Sequence, residues 1–158
     1  MAKKTTEELR SVISKLKTPE ACRNYAANAR RLGREDLLPA CLLREAELLA
    51  IHKSVTPKTP LEQRIVRDMR LLERLSGKPL SRTWPMIHRH GFIGMVERIV
   101  TKKGTSPGFE LAVKNGVPEA TFEQTVCDNP EFFSTTALTA ARSRLEAVGT
   151  AQHKGKQQ

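Results

Sequence analysis

Along this chain a hydroxyl residue set against a proline recurs, and a glycine follows a helix length later. Thr18-Pro19-Glu20 opens a run that Gly33 closes, Thr59-Pro60 one that Gly77 closes, and Thr105-Ser106-Pro107 one that Asn115-Gly116 closes. Threonine or serine at an N-cap accepts an otherwise orphaned N–H, proline suits the first turn where no N–H is needed, and glycine ends a helix through its left-handed backbone. Such punctuation restricts the chain to short helices. Between the marks, apolar residues such as Leu61, Ile65, Met69, Leu72 and Leu75 recur at helical spacing, and no sustained alternation of Val, Ile, Thr and aromatics offers a strand. We therefore expect an all-α fold of about nine short helices.

The expected organisation begins with an N-terminal helical hairpin region over residues 1–52. A short helix over 7–16 packs through Leu9, Val12, Ile13 and Leu16 on a pair running from Pro19 to Leu32 and from Asp36 to about His52, with Pro39 in the first turn of the latter. Residues 18–51 have the length and hairpin shape of one tetratricopeptide-like unit, but no second copy follows. Residues 53–60, with Pro57 and Pro60 and no apolar period, read as a connector. A basic helical domain over 61–149 follows. In it Ser81 is expected to cap a helix carrying Trp84, Met86 and Ile87, Gly91 to break it, and residues 92–100 to form the next. Helices over 107–114 and from Thr121 to before Asn129-Pro130 come next, and Ser134 caps the last, with Leu138, Ala141, Leu145 and Val148 on one face. That helix is expected to stop at Gly149 and to leave 150–158 as a disordered tail.

Charge is the strongest pointer to a partner. The 158 residues carry 27 Lys plus Arg against 17 Asp plus Glu, a formal +10, and residues 51–105 hold 12 of the cations with only 4 of the acids. A localised excess of this kind favours polyanions, nucleic acid first and an anionic membrane surface second. No run approaches the ~18 apolar residues of a membrane span, and a charged N-terminus is unlike a signal peptide, so a soluble cytoplasmic protein is expected. Cys22, Cys41 and Cys127 stand in no metal-type spacing and are expected to be structural thiols. No cofactor is implied.

At about 100° per residue, Arg64, Arg67, Arg70 and Arg74 fall within one arc of roughly 120°, opposite the apolar stripe of their helix. A row of planar guanidinium forks suits phosphate oxygens, although Glu62, Asp68 and Glu73 on the same helix can pair with it. The next segment, Ser81-Arg-Thr-Trp-Pro-Met-Ile-His-Arg-His-Gly-Phe-Ile-Gly, resembles a helix-turn-helix. That resemblance implies surface positions near the turn for Arg82, His88, Arg89 and His90, and phosphate contacts for Arg98, Lys102 and Lys103. His88 and His90 lie two apart, on nearly opposite sides of a helix, so no metal site is expected. Trp84 beside Met86 and Ile87 reads as core rather than as a base-stacking ring. Gly116-Val117-Pro118 resembles a helix-hairpin-helix turn without its second glycine. The phosphate-loop, nucleophile-elbow and zinc-hydrolase motifs are absent from the sequence.

The run from Arg82 through Gly91 to Val96-Glu97-Arg98, followed by Gly108-Phe109, Gly116 and Asn129-Pro130-Glu131-Phe132-Phe133-Ser134, resembles the helical modules of prokaryotes that accompany restriction-type or HNH-type nucleases. This likeness covers about the last half of the chain, transfers no functional residue, and implies DNA-related work in a bacterial or phage setting. We thus expect a small non-enzymatic DNA-binding protein, accessory or regulatory, that docks on phosphates through its middle third. One alternative is a protein-interaction adaptor working through the hairpin over 18–52. Another is an enzyme acting on nucleic acid whose carboxylates, such as Glu97 or Asp128, converge only in three dimensions.

Overall fold

The computed structural model describes the backbone of residues 3–49 and 55–156, with side chains as far as Gly149. All regular elements among these residues are helical: α1 (Thr6–Ser14), α2 (Pro19–Arg31), α3 (Leu38–Leu48), α4 (Pro60–Ser76), α5 (Thr83–Val100), α6 (Pro107–Lys114), α7 (Phe122–Asp128) and α8 (Thr135–Lys156). Single 3₁₀ turns lie at Glu35–Leu37, Pro118–Ala120 and Pro130–Phe132. None of the described helices is long and apolar enough to cross a membrane.

The caps follow their chemistry. Thr5, Thr18, Thr59, Ser106 and Thr121 each accept the backbone N–H three residues on. Glu8 and Glu62 reach back to close capping boxes with Thr5 and Thr59. Two expected boundaries are corrected. Ser81 does not cap: α5 starts at Thr83 without a side-chain cap, and the N–H groups of Thr83 and Trp84 turn to the Leu80 carbonyl instead. Nor does Gly149 end α8, which continues to Lys156, so 150–156 form helix rather than a disordered tail. Glycine permits a left-handed stop without imposing one. No proline follows Gly149, and Ala151, Gln152 and Lys154 are good helix formers. At the other end of the chain, α3 stops at Leu48. Residues 50–54, including the expected helix end at His52 and the start of the connector, lie outside the described residues.

Helix α4 is the hub. Leu61, Ile65, Val66 and Met69 join Trp84, Ile87, Met95, Val96 and Val100 of α5, Phe122 and Val126 of α7, and Ala137 and Ala141 of α8 in the main core. Leu71 and Leu72 turn the other way, into a second cluster with Ala46, Ala112, Val117 and Ala120. A third cluster, Ile13, Ala29, Leu37 and Cys41, holds α1 to α3 together. Each Leu, Ile, Val or Met side chain removed from water here contributes roughly 1.5–3 kcal/mol. Helix α6 crosses α4 so closely that a Cβ on Gly108 would stand 2.9 Å from Leu72 Cδ1. Because α3 also rests on α4, the hairpin packs directly on the basic helices.

Candidate nucleic-acid interface

A central helix has little free surface, and this decides the fate of the arginine row. Arg64 donates to Asp128 at 2.7 Å, Arg70 to Glu73 at 2.9 Å, and Arg74 to Glu45 at 3.2 Å. Arg67 grips its neighbour Asp68 through Nε at 3.1 Å and Nη2 at 2.8 Å. Arg64 and Arg67 also reach the Glu119 carbonyl. The row is therefore a seam joining α4 to α3, α7 and the 118–120 turn. Two of its carboxylates are deeply set, Glu45 at 3% exposed and Asp68 fully buried, whereas Asp128 is exposed. Burial pushes the pKa of Asp68 up to about 6 despite the pull of Arg67, and its second oxygen accepts the Thr125 hydroxyl at 2.9 Å. Burial also acts upward on Asp128, but the bonds from Arg64 and Gln124 outweigh it and hold that carboxyl below its ordinary range.

The cations after α4 meet different surroundings. Residues 78–103 contain six Lys or Arg and two His but one acid, Glu97. That acid is already occupied, accepting the Ser134 N–H at 2.5 Å and so tying α5 to the start of α8. Lys78, Arg82, His88, Arg89, His90, Arg98, Lys102 and Lys103 are all exposed. Among the described residues none of them enters an ion pair. Arg82 and Arg89 are about two turns apart and so project from one side of the first half of α5, while Trp84 and Ile87 are turned inward. At Gly91, with φ 74° and ψ 173°, the helix breaks for a single residue before resuming. Helix-turn-helix elements place roughly 3–4 residues in that turn.

Neighbouring elements fix the ends of this stretch. Arg144 of α8 donates to the Lys102 carbonyl and to Glu123 at 2.8 Å, so the loop bearing Lys102 and Lys103 is anchored by its backbone while both ammonium groups stay in water. At the start of α5, Glu73 Oε2 accepts the Leu80 N–H at 2.9 Å and the Trp84 indole N–H at 3.1 Å. The Arg70 guanidinium lies 5.3 Å from the centre of the Trp84 ring. Trp84 is core, and its ring does not face solvent.

Beside the Gly91 break lies a groove of about 470 Å³, walled by residues 59–62, 90–93, Asn129 and Phe132. Phe132 is 50% exposed. Sequence reading missed this groove, whose walls come from three distant stretches with no shared period. It also passed over Lys78, which the same charge excess signals.

The remaining sequence candidates take other roles. Gly116-Val117-Pro118 turns inward: Val117 is buried, and the N–H groups of Gly116 and Val117 go to Val113 and Ala112. Glu97 and Asp128 each bind within the fold, and no three His, Cys, Asp or Glu among the described residues are grouped to hold a metal ion. Cys22 and Cys41 are buried and Cys127 is half-buried, all three free. Burial pushes the Cys41 thiol up to about 11, so it is not a nucleophile at neutral pH. Family models, curated proteins and solved structures give no match to this chain.

Proposed function

We propose that this chain is a small non-enzymatic DNA-binding protein that docks on phosphates through the cations of residues 78–103. The observation that carries the reading is the contrast in pairing: the arginines of α4 are bound to carboxylates, whereas Arg82, Arg89, Arg98, Lys102 and Lys103 are exposed and have no ionic partner among the described residues. Exposed, unpaired cations gain free energy by replacing the counterions condensed on a nucleic acid, and those ions are released to solution. His88 and His90 add hydrogen-bond donors and acceptors beside the Gly91 break, where base edges or sugars can be met. The likeness to nuclease-associated modules favours an accessory or regulatory role on bacterial or phage DNA.

The test is a fluorescence-anisotropy titration of labelled duplex DNA across a range of salt. Affinity is expected to fall linearly on a log–log plot, and the combined R82Q/R89Q/R98Q/K102Q/K103Q variant is expected to lose binding while keeping its helical circular-dichroism spectrum. Absence of binding by the native protein at low salt would end this reading. One observation favours the adaptor instead: Leu32, at the end of α2, is 67% exposed, and Val12 of α1 is 36% exposed. Failure to bind nucleic acid would make the hairpin over 18–52, with its exposed Leu32, the surface to probe.

A further inference from the structure

We propose that the groove at the Gly91 break receives one unpaired base of the nucleic acid docked on the neighbouring cations. The protein would then prefer strands that offer such a base over a fully paired duplex. This inference rests on the nucleic-acid reading above and names the feature of the ligand that the groove would recognise.

The chemistry of the walls sets the occupant. Pro60, Leu61, Phe92, Ile93 and the half-exposed ring of Phe132 make the surface apolar, and about 470 Å³ lies within the ~300–1,000 Å³ of small-molecule sites. A flat, weakly solvated face belongs there. A phosphate does not, because Glu62 stands in the wall with Oε2 held by the N–H groups of Lys58 and Thr59, both at 3.0 Å. The chain beside it has the opposite character: His90 lines the groove, and the residue before it, Arg89, is exposed and enters no ion pair among the described residues. A ligand matched to both must carry an apolar face joined through a short spacer to a negative charge, as a nucleotide's base is joined to its phosphates through the sugar.

Two further features fit a base. Asn129 lines the groove with its amide nitrogen already donating to the Thr125 carbonyl at 2.9 Å, which leaves the amide oxygen to accept from a ring N–H or exocyclic amine. Gly91 keeps the floor open, with nothing within 4 Å of where a Cβ would be. Stacking on an aromatic ring tolerates any base, because every base has a π-face. The base must be unpaired because one held in a duplex stack shows the groove only its edge.

The experiment compares three labelled DNAs of equal length and phosphate count: a duplex with one unpaired adenine, the same duplex with an abasic residue there, and one with that residue paired. The full-length protein is expected to bind the unpaired adenine at least about fivefold tighter than the abasic DNA. 2-Aminopurine at that position is expected to be quenched on binding. F132A removes an exposed ring and so preserves the fold. It is expected to bring the ratio near one without changing the salt slope, whereas R89Q weakens all three DNAs and keeps the ratio. A native ratio of one with duplex binding intact overturns the groove inference and leaves phosphate docking standing. No binding to any of the DNAs overturns both. Retention of the ratio by F132A also overturns the inference, as would an acidic amphipathic peptide occupying the groove while the ratio stays at one.

Discussion

Helix α4 and the stretch from α5 into its following loop are both rich in arginine or lysine, yet the first ties its charge to carboxylates of the fold and the second leaves it in water. Arg74 finds Glu45 of α3, 29 residues back, and Arg64 finds Asp128 of α7, 64 residues on. Asp68 and Glu73 supply the rest from α4 itself. Along 78–103 the lone acid, Glu97, is turned to the Ser134 N–H. The difference teaches that a row of cations in sequence is neutral evidence until the acids of neighbouring helices are placed. Position in the bundle decides it: α4 is enclosed by α3, α6 and α7, so its polar side needed partners, while α5 packs one side on α7 and α8.

The sharpest test sets one arginine from each region against the other. Arg67→Ala strands the fully buried Asp68, which must stay charged without its partner or take up a proton. Breaking a buried pair in this way costs roughly 3–5 kcal/mol, whereas the exposed Arg89→Ala should remain within about 0.5 kcal/mol of the native protein. Urea unfolding of both variants measures the gap. Equal losses would break the comparison.

Asp68 gives the seam a pH signature almost as large. Its folded pKa, raised to about 6 by burial, lies above the ordinary 3.8 of the unfolded chain, so the native state holds its proton more tightly. Stability from this group is therefore full below about pH 4, falls as pH rises to about 6, and is level beyond, a loss on the order of 3 kcal/mol. Asp128, with its pKa lowered, has the opposite sign in a more acidic window. Subtracting the stability profile of Asp68→Asn from that of the native protein isolates the first effect, and a flat difference between pH 4 and 6 would contradict it.

How much of this was legible in the sequence follows from the range of the forces involved. Caps and glycine stops act within one turn, so Thr18, Thr59, Ser106 and Thr121 marked their helices correctly, and the all-α class came with them. Ser81 and Gly149 misled because a cap residue or a glycine allows a boundary that longer-range packing and propensity can override. The apolar stripe of α4 was also readable. What could not be read was its opposite side: periodicity separates apolar from polar faces, but it does not say whether a polar face meets water or the carboxylates of another helix. The groove at Gly91 was hidden for the same reason, since its walls meet only through tertiary packing.

A smaller effect probes the break that divides the second region. Gly91 holds φ at 74° and ψ at 173°, an extended backbone of positive φ that essentially only glycine adopts, with open space where a Cβ would go. Gly91→Ala therefore brings strain without a clash, about 1–3 kcal/mol. Its melting temperature should fall by a few degrees while the circular-dichroism spectrum stays helical. An unchanged or raised melting temperature would mean that the break is not held by the surrounding packing.

The smallest effect on stability should accompany the clearest effect on binding. Arg82→Gln, Arg89→Gln, Arg98→Gln, Lys102→Gln and Lys103→Gln remove exposed charges that enter no ion pair among the described residues, so each should shift unfolding free energy by no more than about 0.5 kcal/mol. If each contacts a phosphate, each should lower affinity for every duplex alike and flatten the dependence of log affinity on log salt by about 0.9. Arg64→Gln should do the reverse, costing stability through the loss of its 2.7 Å bond to Asp128 while leaving the salt slope unchanged. Lys102 separates the two kinds of anchoring within one residue, because Arg144 holds its backbone carbonyl and not its ammonium group. Lys102→Gln should therefore alter the slope alone, whereas Arg144→Gln, which also abandons the buried Glu123, should lower stability first. A slope that responds to Arg64 and ignores Arg89 or Lys102 would place the docking surface on α4 and invert the comparison.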